Sequence, residues 1–327
     1  MLTVIIPTRN RAHLLASVLE SLTRQTLSND HFEVLVIDNG SKDNTVVIVQ
    51  KYSALLGNIQ YYYEPVPGLH VGRHRGMLEA KNDILVFADD DIEALPTWLE
   101  SIQEAFLSPD VAMVGGNNYP DFQGEVPTWL QKLWDRPSMG GQELASLSVL
   151  KLPEGRREFS PDYVWGCNFS IRKQVLLDAG GFHPDGMPAE LIRFRGDGES
   201  HVSGYVKKHN LRCIFDSRAS VYHAVTSERM TFDYFRQRSF NQGISYSYAC
   251  LRNPSRFGTS TSSLLNIFRR LFGPLYHFMK QDQERDPEIR ELLALMHKGH
   301  QEGFKYHQQM YQEYPEVKNW VHKLTYY

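Results

Sequence analysis

An apolar run that stops abruptly in three carboxylates, Ile84-Leu85-Val86-Phe87-Ala88-Asp89-Asp90-Asp91, constrains this chain more than any other stretch. Apolar residues without polar alternation, bounded by Asp83 and the acids, read as a strand buried on both faces, as in a parallel sheet covered by helices. Such a strand delivers its last residues to the carboxyl edge of the sheet, where open α/β proteins bind ligands. Adjacent carboxylates repel one another unless a cation or donors offset them, so the run points to a divalent cation held together with a phosphate-bearing ligand. A solvated acidic turn is the competing reading, because charge runs are usually solvated.

Strand and helix signals alternate around this run. Leu2-Thr3-Val4-Ile5-Ile6 is rich in β-branched residues and ends at Pro7-Thr8-Arg9-Asn10; Leu14, Leu15, Val18, Leu19 and Leu22 follow at helical spacing. Phe32 to Ile37 predicts a second buried strand, Asp38-Asn39-Gly40-Ser41 a turn, and Asp43 or Asn44 the cap of a helix carrying Val46, Val47, Val49 and Tyr52. A third strand is expected from Ile59 to Tyr63 and a helix from Val71 to Ala80. Pro96 opens a further helix through Trp98, Leu99, Ile102 and Phe106, and Val111 to Val114 is another strand. The alternation predicts a mostly parallel sheet with right-handed crossovers. Three loops then meet at its carboxyl edge, Thr8-Arg9-Asn10, Asp38-Asn39-Gly40 and Asp89-Asp90-Asp91, with donors and acceptors suited to a base, a ribose and a diphosphate.

Other chemistries fit poorly. Gly68, Gly72 and Gly76 lack the Gly-x-Gly-x-x-Gly spacing of dinucleotide binding, and there is no Gly-Lys-Ser/Thr phosphate loop. Arg73 and Arg75 either neutralise a diphosphate or are solvated on the first turn of a helix. The formal net charge of -3 provides no basic field for nucleic acid. At 327 residues the chain outgrows one hydrophobic core, so one large domain with an appended element, or two domains, is expected. Cys167, Cys213 and Cys250 are too scattered for a disulfide framework or a zinc cluster and point to a reducing cytosol. No run approaches membrane-spanning length, and Leu2 to Ile6 is too short for a secretion signal, so a cytoplasmic protein, soluble or peripheral, is expected.

Three blocks resemble, in order and spacing, the family 2 glycosyltransferases of GT-A fold: Thr3-Val4-Ile5-Ile6-Pro7-Thr8-Arg9-Asn10-Arg11, Val34-Leu35-Val36-Ile37-Asp38-Asn39-Gly40-Ser41, and Phe87-Ala88-Asp89-Asp90-Asp91 followed by Pro96 and Trp98-Leu99. The resemblance continues through Gly166-Cys167-Asn168-Phe169-Ser170-Ile171-Arg172-Lys173 and Gly180-Gly181-Phe182 to about Val225. It implies a GT-A-like α/β domain over residues 1–225, with a Rossmann-like, mostly parallel sheet flanked by helices, and leaves residues 226–327 as a C-terminal helical extension.

Site roles follow from the resemblance. Asp38 is similar to the aspartate that accepts the N3-H of uracil, with Pro7, Thr8 and Arg9 beside the same nucleoside. Asp89 and Asp91 resemble an Asp-x-Asp pair, the first on ribose hydroxyls and the second on a Mn²⁺ or Mg²⁺ ion shared with the diphosphate. Arg73 and Asp90 are expected near the nucleotide, with a capping acid as the other reading of Asp90. His223 resembles the late histidine that reaches back to the metal. In Arg195-Gly196-Asp197-Gly198-Glu199-Ser200, similar to the family's Glu-Asp motif, Asp197 aligns with the catalytic base and Glu199 with an acid two residues on, and a one-step slip would exchange them. Asp197 otherwise reads as the N-cap of a helix bearing Val202 and Val206.

The activity implied is metal-dependent, inverting transfer of a sugar from a nucleotide diphosphate sugar to a hydroxyl of a glycan, a lipid-linked glycan or a small molecule. UDP is the first choice of donor nucleotide, because an acceptor-only Asp38 suits uracil and Asp89 suits a ribose with both hydroxyls. A sugar-nucleotide nucleotidyltransferase and a non-catalytic nucleotide-sugar or glycan binding module are the alternatives. Between Tyr119 and Asp162, Pro127-Thr128-Trp129-Leu130 and Leu133-Trp134 suit a short amphipathic helix, whose Trp129 and Trp134 either stack on sugars at the cleft mouth or fill the core. In the extension, Leu264, Phe268, Leu271, Phe272 and Leu275 fall near one helical face, suited to peripheral contact with a membrane carrying a lipid-linked acceptor or to packing on the catalytic domain.

Overall fold

The computed structural model describes residues 1–253 and 284–327. In chain order the strands are β1 (Leu2–Thr8), β2 (Phe32–Asp38), β3 (Ile59–Tyr63), β4 (Ile84–Ala88), β5 (Ile92–Ala94), β6 (Val111–Gly115), β7 (Asn118–Gln123), β8 (Pro137–Ser138), β9 (Gly141–Leu144), β10 (Val149–Lys151), β11 (Arg156–Glu158), β12 (Asn168–Arg172), β13 (Arg212–Asp216) and β14 (Val221–Thr226). The helices are α1 (Ala12–Leu22), α2 (Thr45–Leu56), α3 (Leu69–Glu79), α4 (Trp98–Ala105), α5 (Thr128–Trp134), α6 (Lys173–Asp178), α7 (Ser200–Lys208), α8 (Phe232–Arg252), α9 (Pro287–Glu313) and α10 (Pro315–Val321).

Eight strands form one sheet in the order β11-β13-β6-β12-β4-β1-β2-β3. The pairs β1 with β2, β1 with β4, β2 with β3 and β6 with β13 are parallel, while β12 runs antiparallel between β4 and β6 and β11 is antiparallel to β13. Period-two alternation feeds both faces. Val4, Ile6, Val34, Val36 and Val86 join the core under α1, α2 and α4, and Ile5, Leu35, Ile37, Leu85 and Phe87 join the one under α3, α6 and α7. Fully burying each such side chain is worth roughly 1.5–3 kcal/mol, which is why the strands need no polar face. The helix expected after β2 forms, but Val46 and Val47 are 40% and 54% exposed, and Val49, Tyr52 and Leu56 make its buried face instead. Asp43, rather than Asn44, serves the helix start: Oδ1 accepts from the Thr45 N–H and hydroxyl, and Oδ2 from the Ala12 N–H of α1.

A second sheet, β5-β14-β7-β10-β9-β8, has no counterpart in the sequence expectations, which gave residues 119–162 only a short helix. Most of its strands are short, and β7 and β9 read as Asn-Tyr-Pro-Asp-Phe-Gln and Gly-Gln-Glu-Leu. That helix is α5, and Trp129 and Trp134 are buried in a third core shared with Val225, Met230 and Phe235 and with Ile289, Leu292 and Leu293 of α9. Their rings are therefore core, and sugar stacking by them is excluded. Beyond Thr226 the described residues are helical, and α8 and α9 touch backbone to backbone: a Cβ on Gly243 would lie 2.1 Å from the His300 carbonyl oxygen. No described helix is long and apolar enough to cross a membrane. The amphipathic stretch Leu264 to Leu275 lies outside the described residues.

Candidate active site

The loops after β1 and β2 are stitched together at the carboxyl edge. Asn10, in the left-handed region at φ 56, accepts from the Lys42 N–H through Oδ1 at 2.7 Å, and its own N–H donates to Ser41 Oγ at 2.9 Å. Asp38 is buried, with Oδ1 taking the Ser41 N–H at 2.6 Å and Oδ2 the Tyr61 hydroxyl at 2.7 Å. Each carboxylate oxygen keeps a lone pair, so Asp38 is an oriented acceptor with capacity to spare. Burial and the neighbouring Asp38 push the Tyr61 phenol far above its ordinary range, so it remains a donor. Pro7 lies under Gly72 of α3, Thr8 is buried and donates its hydroxyl to Asp90 Oδ2 at 2.7 Å, and Arg9 is exposed.

The three acids diverge. Asp90 turns back into the protein, accepting from Thr8 and from Arg11 Nη1 at 2.5 Å, and caps no helix. Burial raises its carboxyl to about 7 against the pull of Arg11. Asp91 takes Arg11 Nη2 on Oδ2 at 2.8 Å, while its Oδ1 is buried without a hydrogen-bond partner, 3.4 Å from His223 Nε2. Burial alone would raise the Asp91 carboxyl, but His223 and Arg11 hold it well below the usual range. One atom each from Asp89, Asp91 and His223 lies within 4.8 Å of the others. Ligands on one hard cation stand about 2.0–2.6 Å from it, hence within roughly 5 Å of one another, so this set fits a single ion. The orphaned Asp91 oxygen is the sign that a partner is wanted there.

Arg73 forms the opposite wall. Its side chain is 3% exposed and passes over Gly166, where a Cβ would stand 2.1 Å from Nη2. Nη2 donates to Asp89 Oδ1 at 3.1 Å and Nη1 lies 3.7 Å from Glu199 Oε2. Arg75 points outward to Glu79 and Glu64, so of the two arginines only Arg73 reaches the site. Burial pushes the Cys167 thiol up, and the charges of Asp89, Asp91 and Glu199 add to it.

Asp197 is placed differently from its expectation. Gly198, at φ 56, turns the chain between the two acids, and Asp197 Oδ1 pairs with His183 Nδ1 at 2.5 Å. His183 stacks on His201 with ring centroids 3.6 Å apart and meets Tyr248 and Tyr326 at its edges. Burial would raise the Asp197 carboxyl, but His183 holds it below the usual range. It does not cap α7, whose N-cap residue is Glu199. Arg11 and Arg229 were missed by sequence reasoning. Arg11 lay inside a quoted block without a role, and Arg229, six residues past His223, follows no spacing rule that would mark it.

The sequence profile of Glycosyl transferase family 2 matches residues 3–180. Validoxylamine A glucosyltransferase of Streptomyces hygroscopicus subsp. jinggangensis is 29% identical over 57% of this chain, which spans only 47% of that relative's length. Glucosyl-dolichyl phosphate glucuronosyltransferase of Haloferax volcanii is 22% identical over 70% of each chain. Among solved structures, a mannosyltransferase of Pyrobaculum calidifontis in complex with GDP-Man and Mn²⁺ matches with a TM-score of 0.54 and 17% identity, over 98% of this chain and 82% of that one.

Proposed function

Because this chain belongs to glycosyl transferase family 2, we propose that it moves a sugar from a nucleotide diphosphate sugar to an acceptor hydroxyl, with inversion at the anomeric carbon. The observation that carries this reading is the convergence, at one sheet edge, of an oriented base-reading acceptor, Asp38, with the cluster of Asp89, Asp91 and His223. Asp91 and His223, with Asp89 adjacent, would hold Mn²⁺ or Mg²⁺, which supplies positive charge to the diphosphate. Residues 1–225 carry the base-reading acceptor, the metal cluster and Glu199, and among the described residues beyond them Arg229 reaches the same edge. With free cysteines throughout the described residues, we assign the protein to the cytoplasm.

We assign the base to Glu199 and withdraw it from Asp197. Asp197 is spent on His183, whereas Glu199 shares the buried Arg73 with Asp89. Glu199 would accept the acceptor's proton as the hydroxyl oxygen bonds to the anomeric carbon on the face opposite the departing diphosphate. Arg73 orients both acids, and Asp90 ties β1 to β4 instead of touching nucleotide. Asp38 favours uracil over cytosine, whose unprotonated N3 would face its lone pairs, so UDP is the first donor and GDP, bound by the similarly folded mannosyltransferase, the second. The acceptor is a glycan, a lipid-linked glycan or a small molecule such as the glucosyltransferase relative's namesake.

Incubation with a panel of nucleotide sugars and Mn²⁺ tests the proposal. Release of UDP from a UDP-sugar, abolished by a chelator, is expected. Release of pyrophosphate would point to a nucleotidyltransferase, and no release from any donor to a binding module.

A further inference from the structure

Arg229 holds a fixed positive charge where a second one, the metal ion, is also expected. Its guanidinium lies 3.7 Å from Asp91 Oδ2 and 3.4 Å from His223 Nε2, and the side chain is 19% exposed. Three acceptors on separate elements fix it: the Ala224 carbonyl at 2.9 Å, the Leu147 carbonyl at 3.1 Å and the Tyr234 hydroxyl at 3.2 Å. A guanidinium has five N–H groups, so these bonds leave two, one of them on the nitrogen that faces His223. The lone pair of His223 Nε2 can go to that N–H or to a metal ion, but not to both. Metal binding at Asp91 and His223 therefore frees an Arg229 N–H and places two cations side by side. Both consequences are unfavourable unless an anion lies against them.

We propose that Arg229 binds the donor's diphosphate and takes up the charge that collects on it as the sugar leaves. This rests on the transferase reading above. In the step, the acceptor O–H gives its proton to Glu199 and its oxygen bonds to the anomeric carbon. The bond from that carbon to the bridging oxygen of the diphosphate breaks, and its electron pair stays on that oxygen. The nucleoside diphosphate thus gains one negative charge, which the free N–H groups of Arg229 meet without moving the arginine, because its other three bonds hold it in place. Guanidinium is suited to phosphate by its planar fork and its permanent charge.

Calorimetric titration of the full chain with Mn²⁺ alone, with UDP in Mn²⁺ and with uridine separates this role from that of a strut. Arg229→Gln is expected to bind Mn²⁺ as tightly as the unaltered protein or more so, to bind uridine unchanged, and to lose roughly 10- to 150-fold in affinity for UDP, the worth of a hydrogen bond to a charged group. Arg229→Lys, which keeps the charge, is expected to recover part of that loss. Retained Mn²⁺ binding also shows that the variant is folded at the site. Equal losses for UDP, uridine and Mn²⁺, or undiminished UDP binding by Arg229→Gln, would overturn the proposal while leaving the transferase reading in place. Absence of UDP binding by the unaltered protein in Mn²⁺ would overturn both.

Discussion

The acidic edge of the large sheet and the histidine seam behind it both bury polar groups, and they do so by opposite means. At the edge, Asp89, Asp90 and Asp91 are set against Arg73, Arg11 and Arg229, and the pairing is incomplete: Asp91 Oδ1 has no donor. In the seam, burial keeps His74 and His201 neutral, and both bond locally. His74 accepts the Phe182 N–H on Nε2 and so donates from Nδ1 to the Tyr326 carbonyl, and His201 Nε2 donates to the Ala179 carbonyl. Charges kept in pairs with valences left over suit a charged ligand that comes and goes; neutral rings with local partners hold one conformation. Loop 182–199 connects the two regions, and the turn at Gly198 sends Asp197 into the seam and Glu199 to the edge.

The largest effect should come from breaking that division at its branch point. Glu199→Gln should lower turnover by about two to four orders of magnitude with UDP affinity nearly intact, as expected for loss of a general base. Asp197→Asn should instead lower the melting temperature while leaving the turnover of the folded fraction within about tenfold. Steady-state rates and thermal melts of both variants decide it, and the reverse pattern would return the base to Asp197.

A pH scan probes mainly the seam, because Asp90, raised to about 7, opposes it with one group against five rings. Burial depresses His70, His201, His300 and His307 to about 4, and His74 to about 3. The unfolded chain takes up these protons near 6.5, whereas the folded chain refuses them until about 4. Their stabilising contribution is therefore complete above pH 6.5 and is lost as pH falls toward 4, at up to about 1.4 kcal/mol per pH unit for each ring. The melting temperature should fall steeply between pH 6.5 and 4.5; a flat profile would mean that the rings are already charged in the fold.

Smaller effects sharpen the edge. Asp38→Ala should flatten the preference for UDP over CDP, at a cost of roughly 1.5–3 kcal/mol in UDP binding by calorimetry; an unchanged order would place base recognition elsewhere. Arg75→Gln, which removes half-exposed pairs with Glu64 and Glu79, should change stability by at most about 1 kcal/mol and leave UDP binding alone, unlike Arg73→Gln. Equal binding losses in the two variants would remove the distinction drawn between them.

The same contrast explains what the sequence could reveal. The strands Leu2–Thr8, Phe32–Asp38 and Ile84–Ala88 were legible because a buried parallel strand writes itself as a continuous apolar run, and their carboxyl ends located Asp38 and the acids. The second sheet was hidden because most of its strands are short and they pair across long separations, as Val221 to Asn118. The placement of Asp197 and Glu199 was hidden for a different reason. Two acids two residues apart in a loop have no fixed relative direction, and the left-handed turn at Gly198 sends one to His183 and the other to Arg73. His183, Arg11 and Arg229 matter through neighbours distant in sequence, which no local pattern encodes.

The central claim is that the acidic edge holds a metal ion together with a nucleoside diphosphate. Calorimetric titration of the unaltered protein, Asp91→Ala and His223→Ala with UDP and with uridine, each with and without Mn²⁺, tests it most directly. UDP binding that depends on Mn²⁺ and is lost in both variants, beside uridine binding that is weak, metal-independent and unchanged, is the expected result. UDP binding of the same strength with and without Mn²⁺, or equal losses of UDP and uridine in the variants, would contradict it.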